Sequence, residues 1–67
     1  MKIGDLVDDG FDRIGIITKE DPYRGMVWVE MMWEHDSHGF RPLRKHIFQY
    51  RTGWYDVRDV EVYHESR

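Results

Sequence analysis

Residues 26–34 alternate between a wholly apolar set of side chains and a mixed set, and this pattern restricts the fold more than any other feature. In an extended strand the apolar set shares one face: Val27, Val29, Met31 and Trp33. Residues 13–20 form a second, β-branched run. The segment between the two contains Pro22 and Gly25, which favour a turn. We therefore expect a β-hairpin over residues 13–34.

Gly15 stands inside the first strand of this hairpin. A glycine in a strand is typical of a bulge or a tight bend, where a sheet turns a corner. Alternation places Ile14 and Ile16 on one face, with Gly15 and Ile17 on the other. The sequence thus predicts a bend in the sheet near Gly15.

The rest of the chain contains further short strand-like runs separated by turn residues. We expect a loop over residues 35–45 and a strand over 46–51. A strand that tightens into a short 3₁₀ turn is expected over 54–60, and a last strand over 61–64. No segment shows helical periodicity over a useful length. These features predict one all-β domain over residues 1–67, a small barrel of roughly five strands.

The core of so short a chain must be held by side-chain packing. The 67 residues include no cysteine, which removes disulfides, thiolate zinc sites and a cysteine nucleophile. Three Trp, four Tyr and three Phe supply large apolar area instead. The interior is expected to contain Leu6 or Val7, together with Ile14, Ile16, Val27, Val29, Trp54, Val60 and Val62.

Charge is distributed unevenly along the chain. The net charge is −3, which argues against a protein that coats nucleic acid through positive charge alone. Acidic residues dominate residues 1–36, whereas no acidic residue lies between Asp36 and Asp56. No run approaches the roughly 20 apolar residues of a membrane helix, and the first residues lack the apolar stretch of a signal peptide. We expect a protein of the cytoplasm or of a virion, with no membrane contact.

Two groups of residues contain side chains that occur in metal sites or in catalytic triads. His35, Asp36 and His38 have side chains that can bind zinc or nickel, but no cysteine supports them and the spacing is unspecific. Ser37 lies between two histidines, yet a short loop cannot hold the geometry of a triad, and so small a barrel has little room for a substrate pocket. We expect no enzymatic activity, no cofactor and no metal.

Cations and aromatic rings interleave in residues 40–55. Single-stranded nucleic acid is bound by this combination, and the same side chains supply most hot spots of protein interfaces. The alternative is that the rings belong to the core and the cations only solubilise the protein. The residues expected to bind a partner, whether protein or nucleic acid, are Phe40, Arg41, Arg44, Lys45, Tyr50, Arg51 and, from the long strand, Trp28.

Trp28 and Met32 lie on the mixed face of the long strand. With Tyr23 they could form an exposed apolar patch for a partner or for self-association. The alternative is that a bent sheet wraps them into a second layer of the barrel.

The order of several short motifs resembles a known family. The chain opens with Gly4-Asp5-Leu6-Val7, continues with the strands at 13–17 and 27–29, and ends with Trp54 followed by Asp59-Val60-Glu61-Val62. This order resembles the small SH3-like barrels that include the KOW motif of ribosomal proteins and elongation factors. It is more similar still to the short single-domain SH3-like proteins of bacteriophages, including cyanophages. Acidic residues depart from the KOW pattern at Asp8, Asp9 and Asp12.

The resemblance implies an SH3-like barrel and a function in binding. Its first implication is a non-enzymatic, phage-type accessory protein that binds a host or phage protein, either as a modulator of a host factor or as a virion component. Another is a KOW-like nucleic-acid-binding module that uses residues 40–55. A third is a structural protein that assembles with itself as a homo-oligomer. The same barrel serves all three, so the fold alone does not select among them.

Overall fold

A computed structural model describes residues 1–36, 39–44 and 51–63, with the side chain of Asp36 left out. The elements that it describes are antiparallel β-strands, and the protein is all-β in this part of the chain. The strands are β1 (Leu6–Asp8), β2 (Arg13–Asp21), β3 (Met26–Asp36), β4 (Gly39–Pro42), β5 (Gly53–Asp56) and β6 (Glu61–Val62).

The strands form one sheet in the order β4-β3-β2-β1-β6. β2 and β3 are joined by the turn at residues 22–25, which confirms the predicted hairpin. On its other edge β3 has two partners: β5 pairs with residues 26–29 and β4 with residues 33–36. Among the described strands, β4 and β6 end the order without pairing with each other, so the sheet is not closed.

The predicted irregularity at Gly15 is present. Ile14 pairs with Trp33 and Gly15 with Met31, so Met32 is an extra residue on β3. A Cβ atom on Gly15 would lie 2.5 Å from Val29 Cγ1 and 2.7 Å from the Glu30 carbonyl oxygen. Real Cβ atoms do not approach other atoms so closely, and glycine is therefore required at this point of the β2–β3 pairing.

The core lies on one face of the sheet. Its buried members come from four parts of the chain and are all apolar: Val7, Ile17, Val27, Val29, Met31 and Val60. Leu43, Tyr55 and Val62 pack against them and are partly buried. The predictions for Val7, Val27, Val29 and Val60 are confirmed, and Val62 is half-buried. Ile14 and Ile16 were expected in the same interior, but their pairing with Asp8 and Leu6 places them on the other face of the sheet, where Ile14 is buried and Ile16 half-buried.

Trp33 departs from the predicted alternation. Residues 27, 29 and 31 face the core, but the extra residue on β3 reverses the alternation beyond Met31. Trp33 then lies with Ile14 on the opposite face of the sheet, where both line a groove. The sequence interpretation that placed Trp33 beside Met31 is wrong because a single inserted residue changes the face of every side chain that follows.

Trp54 was expected in the core and is instead 46% exposed. Strand alternation in β5 directs Tyr55 towards the core, so its neighbour Trp54 must point away. Two consecutive rings in a strand cannot both face one side. The register of β5 on β3 determines which of the two rings faces the core.

The structure bears on three further predictions about local structure. β4 occupies part of the predicted loop at 35–45, because β3 extends to Asp36 and its edge accepts another strand. The predicted 3₁₀ turn is one hydrogen-bonded turn, in which the Asp59 amide donates to the Asp56 carbonyl at 2.8 Å. Of the strand expected at 46–51 the structure describes only Arg51, which is not part of a strand.

Candidate interaction surface

The face of the sheet opposite the core, here called the outer face, carries several large aromatic side chains. Trp28 and Trp54 lie at the end where β3 pairs with β5. Trp33 and Phe40 lie at the other end, where β3 pairs with β4. Such rings bury much area in an interface at a small entropic cost, because each has only two side-chain torsions.

The first cluster on the outer face is the tryptophan pair, Trp28 and Trp54. The two residues are direct cross-strand partners, and their rings meet edge to face with centroids 5.5 Å apart. Lys19 Nζ lies 4.9 Å from the centroid of the Trp28 ring, in cation–π geometry. Trp28 is therefore partly covered, whereas about half of Trp54 remains available to another molecule.

The second cluster is a groove between β4 and the end of β6. The side chains that line its apolar part are Leu6, Ile14, Trp33, Phe40 and Tyr63, which we call the aromatic groove. The Phe40 ring meets Tyr63 edge to face at 5.5 Å and His35 at 4.8 Å. This part has a volume of about 290 Å³, and an adjoining part that shares Ile14, Phe40 and Tyr63 has about 410 Å³.

The mouth of the aromatic groove is acidic. Asp8 and Asp12 line the adjoining part together with Gly10 and His35. The loop that carries them is held by hydrogen bonds within itself and to β3: the Gly10 amide donates to Asp8 Oδ1 at 3.0 Å, and the His35 amide of β3 donates to the Asp12 carbonyl at 2.7 Å. The loop thus holds two carboxylates beside an apolar floor.

The predicted binding residues that the structure describes do not all belong to one cluster. Phe40 is 49% exposed and belongs to the aromatic groove, and Trp28 belongs to the tryptophan pair. Arg41 Nε lies 2.7 Å from Glu34 Oε1, so this cation is paired across β3 and β4. Arg44 and Arg51 are exposed. Lys45 and Tyr50 lie outside the described residues.

Arg51 is tied to the core side of the sheet through its backbone. The Tyr55 hydroxyl donates to the Arg51 carbonyl oxygen at 2.6 Å. Burial raises the pKa of Tyr55, and the nearby Asp9 carboxylate raises it further. Tyr55 therefore stays protonated and keeps the hydrogen bond near neutral pH.

The patch expected from Trp28, Met32 and Tyr23 is also divided. Tyr23 is 99% exposed in the turn at 22–25 and does not pack on Trp28. Met32 is 36% exposed at the position of the extra residue on β3. Trp54, from a distant part of the sequence, is the aromatic neighbour of Trp28 instead.

The histidine cluster has a packing role where the structure describes it. The His35 ring lies against Phe40, while His38 and the Asp36 side chain are outside the described part. Within that part, no three His, Asp or Glu side chains are grouped to hold a metal ion. Nor does the described chain contain a helix with the length and apolar character needed to cross a membrane.

Several residues of the groove were not singled out from the sequence: Leu6, Asp8, Asp12, Ile14 as a groove residue, and Tyr63. One signal was present in the sequence. Leu6 and Val7 are adjacent and apolar, so in a strand one of them must lie on the face opposite the core. Apolar side chains on both faces of β1 and β2 indicate two apolar surfaces on one sheet.

The fold and the groove define a small antiparallel all-β protein that has its core on one face and exposed aromatic side chains on the other. Comparison of the chain with family models, curated proteins and solved structures finds no match.

Proposed function

We propose that this protein is a non-enzymatic binding module whose outer face docks a protein partner. One observation carries the proposal: Trp54 and Phe40 are about half exposed on a face whose other aromatic residues hold them in place. Protein interfaces concentrate their binding energy in such rings, surrounded by polar groups at the rim. A ring held by neighbours also loses little freedom on binding.

We further propose that the fold is an SH3-like barrel of the kind found in small phage proteins. Support comes from the motif order in the sequence, from the long β2–β3 hairpin with two register irregularities, and from the short turn before β6. On this proposal the protein acts as a phage accessory protein, inside the infected cell or in the virion. Its partner is a protein of the host or of the phage.

Charge placement supports a protein partner over nucleic acid. The Arg41 guanidinium is paired with Glu34, and Lys19 covers one face of the Trp28 ring. The aromatic groove has carboxylates at its mouth, which repel phosphate. A polyanion would have to overcome these local charges and the net charge of −3.

Capture from a nuclease-treated cyanobacterial lysate tests this proposal with two matched variants. Trp54→Ala removes the exposed ring of the tryptophan pair, and Tyr23→Ala removes a more exposed ring in the turn at residues 22–25. We expect the parent protein and Tyr23→Ala to retain the same captured protein, and Trp54→Ala to lose it. Both variants should stay folded, which thermal unfolding verifies. Equal capture by all three would contradict the proposal.

Two solution measurements examine the other functions. Fluorescence anisotropy with labelled single- and double-stranded oligonucleotides should show dissociation constants weaker than about 10⁻⁶ M at physiological salt. Tighter binding that weakens steeply with salt would favour a nucleic-acid-binding module. Sedimentation should show a monomer, and concentration-dependent assembly that disappears in Trp54→Ala would favour self-assembly instead.

A further inference from the structure

From the aromatic groove and its acidic mouth, we infer that the groove binds a protein segment in which an arginine stands next to an aliphatic or aromatic side chain. The inference rests on the proposed function and names the chemistry of the partner. It concerns the end of the outer face away from the tryptophan pair.

The apolar part of the groove has room for an aliphatic or an aromatic side chain. Leu6, Trp33 and Phe40 line it, with Ile14 buried at its base. Leu6 is 40% exposed and Phe40 49% exposed, so an incoming apolar side chain would remove much of their surface from water. Burial of that surface would favour binding.

The adjoining part of the groove selects a cation. Asp8 and Asp12 lie at its edge, and apart from His35 its described lining contains no basic side chain. Within the described residues, the Asp12 carboxylate has no hydrogen-bond or ion-pair partner, whereas Asp8 Oδ1 already accepts the Gly10 amide. A carboxylate with free acceptor sites beside aromatic rings complements a cationic side chain.

Arginine suits these surroundings better than lysine. Its planar guanidinium can stack on the Phe40 or Tyr63 ring while its N–H groups donate to a carboxylate. Lysine provides a compact, strongly hydrated charge that cannot do both. Because the two parts of the groove share Ile14, Phe40 and Tyr63, the arginine and the apolar side chain must be close in the partner sequence.

The test uses pools of nine-residue peptides that are blocked at both ends. Each pool has a fixed central pair, Arg-Leu, Glu-Leu, Arg-Ser or Lys-Leu, flanked by random small residues. We expect the Arg-Leu pool to shift the amide resonances of Asp12, Ile14 and Tyr63 in NMR titrations. The Lys-Leu and Arg-Ser pools should bind more weakly, and the Glu-Leu pool should not bind.

Three variants assign the binding to the groove. Asp12→Asn should weaken binding of the Arg-Leu pool about two- to fivefold, in line with an exposed ion pair. Asparagine tolerates the positive φ of 65° at this position, and the loop contact uses the backbone carbonyl, so the loop should persist. Asp59→Asn, an equal charge change on another turn, should have little effect. Phe40→Ala should weaken binding about tenfold.

Failure of this inference can be separated from failure of the proposed function. If the Glu-Leu pool binds as well as the Arg-Leu pool, or if no pool shifts the groove resonances, the inference is wrong. Capture that depends on Trp54 would then still support a protein-binding module. If Asp12→Asn and Asp59→Asn weaken peptide binding equally, the effect comes from net charge, and the role of the acidic mouth is overturned.

Discussion

At Gly15 the close approach of β2 and β3 leaves no room for a side chain. Gly15→Ala would place a methyl carbon 2.5 Å from Val29 Cγ1 and 2.7 Å from a backbone oxygen that cannot rotate away. Overpacking of this kind costs about 1–3 kcal/mol, so we expect the free energy of unfolding to fall by that amount in urea denaturation.

Gly53→Ala is the matched control for this change. Its added methyl would meet no atom within 4 Å, and its backbone has no positive φ. We expect a change within about 0.5 kcal/mol, and the smaller unfolded ensemble could raise stability slightly. Equal losses of stability in Gly15→Ala and Gly53→Ala would contradict the close contact between β2 and β3 at Gly15.

Asp56 and Arg58 form a hydrogen-bonded pair in the turn between β5 and β6. Arg58 Nε donates to Asp56 Oδ1 at 3.1 Å, and its terminal nitrogen donates to Oδ2 at 3.0 Å. These side-chain hydrogen bonds, and then the Arg58 amide, lower the pKa of Asp56 from 3.8 to about 2. We expect Arg58→Ala to raise the pKa of Asp56 part of the way back to 3.8, because the amide of residue 58 still donates to the carboxylate.

The lowered pKa of Asp56 determines how its contribution to the stability of the fold changes with pH. A carboxyl group whose pKa is lower in the folded state stabilises the fold above its unfolded pKa, and it loses that effect as pH falls from about 4 to about 2. NMR titration of the Asp56 carboxyl carbon measures the pKa directly. Arg24→Ala, which removes a cation paired with Asp21 in another turn, should leave the Asp56 titration unchanged. A pKa that stays at about 2 in Arg58→Ala would refute the assignment to the Arg58 side chain.

At the scale of elements, β3 organises the sheet because both of its edges are occupied. Between the parts paired with β5 and β4, its backbone is bound by the flanking segments. Thr52 Oγ1 accepts the Met31 amide at 3.1 Å, and the Leu43 amide donates to the Met32 carbonyl at 3.0 Å. The Thr52 side chain thus binds the edge of β3 between the segments that pair with β5 and β4.

Thr52→Val should reduce stability by about 1–3 kcal/mol, because it leaves the Met31 amide without its acceptor while the volume changes little. Thr18→Val is the control: Thr18 Oγ1 is buried and has no hydrogen-bond partner among the described residues. We expect that control to be neutral or stabilising. Thermal unfolding compares the two variants, and faster hydrogen exchange at the Met31 amide should accompany Thr52→Val alone. A larger loss in Thr18→Val would be inconsistent with this account.

On the scale of the whole molecule, one ring contact joins the two ends of the open sheet. Phe40 belongs to β4 and Tyr63 follows β6, and their rings meet at 5.5 Å although the strands do not pair. A domain of this size has a small margin of stability, so such a contact has a measurable share in it. The same rings also line the groove.

A double-mutant cycle measures this contact. We expect Phe40→Ala and Tyr63→Ala to be coupled by about 0.5–1.5 kcal/mol in the free energy of unfolding, as for other edge-to-face pairs. Tyr63→Ala combined with Trp54→Ala should be additive, since Trp54 packs on Trp28 at the other end of the outer face. Additivity in the Phe40–Tyr63 cycle would show that the ends of the sheet are held independently.

The sequence by itself determined the local geometry of the protein. Its turn residues and alternating apolar positions predicted the β2–β3 hairpin, the irregularity at Gly15, the last strand and most of the core. These properties depend on φ preferences, on a two-residue period and on the absence of a Cβ atom. The first two act between near neighbours in the chain, and the third acts where β2 contacts β3.

Only the tertiary structure decided which side chains face outward together. An extra residue on β3 moved Trp33 to the outer face, the register of β5 turned Trp54 outward, and the bend of the sheet brought Tyr63 to Phe40. A one-residue change in register reverses the face of every later side chain in a strand. The aromatic groove arises from pairings between distant segments, whose register is set by packing on both sides of the sheet at once. The sequence therefore shows which aromatic residues the protein has, but not that they line one groove.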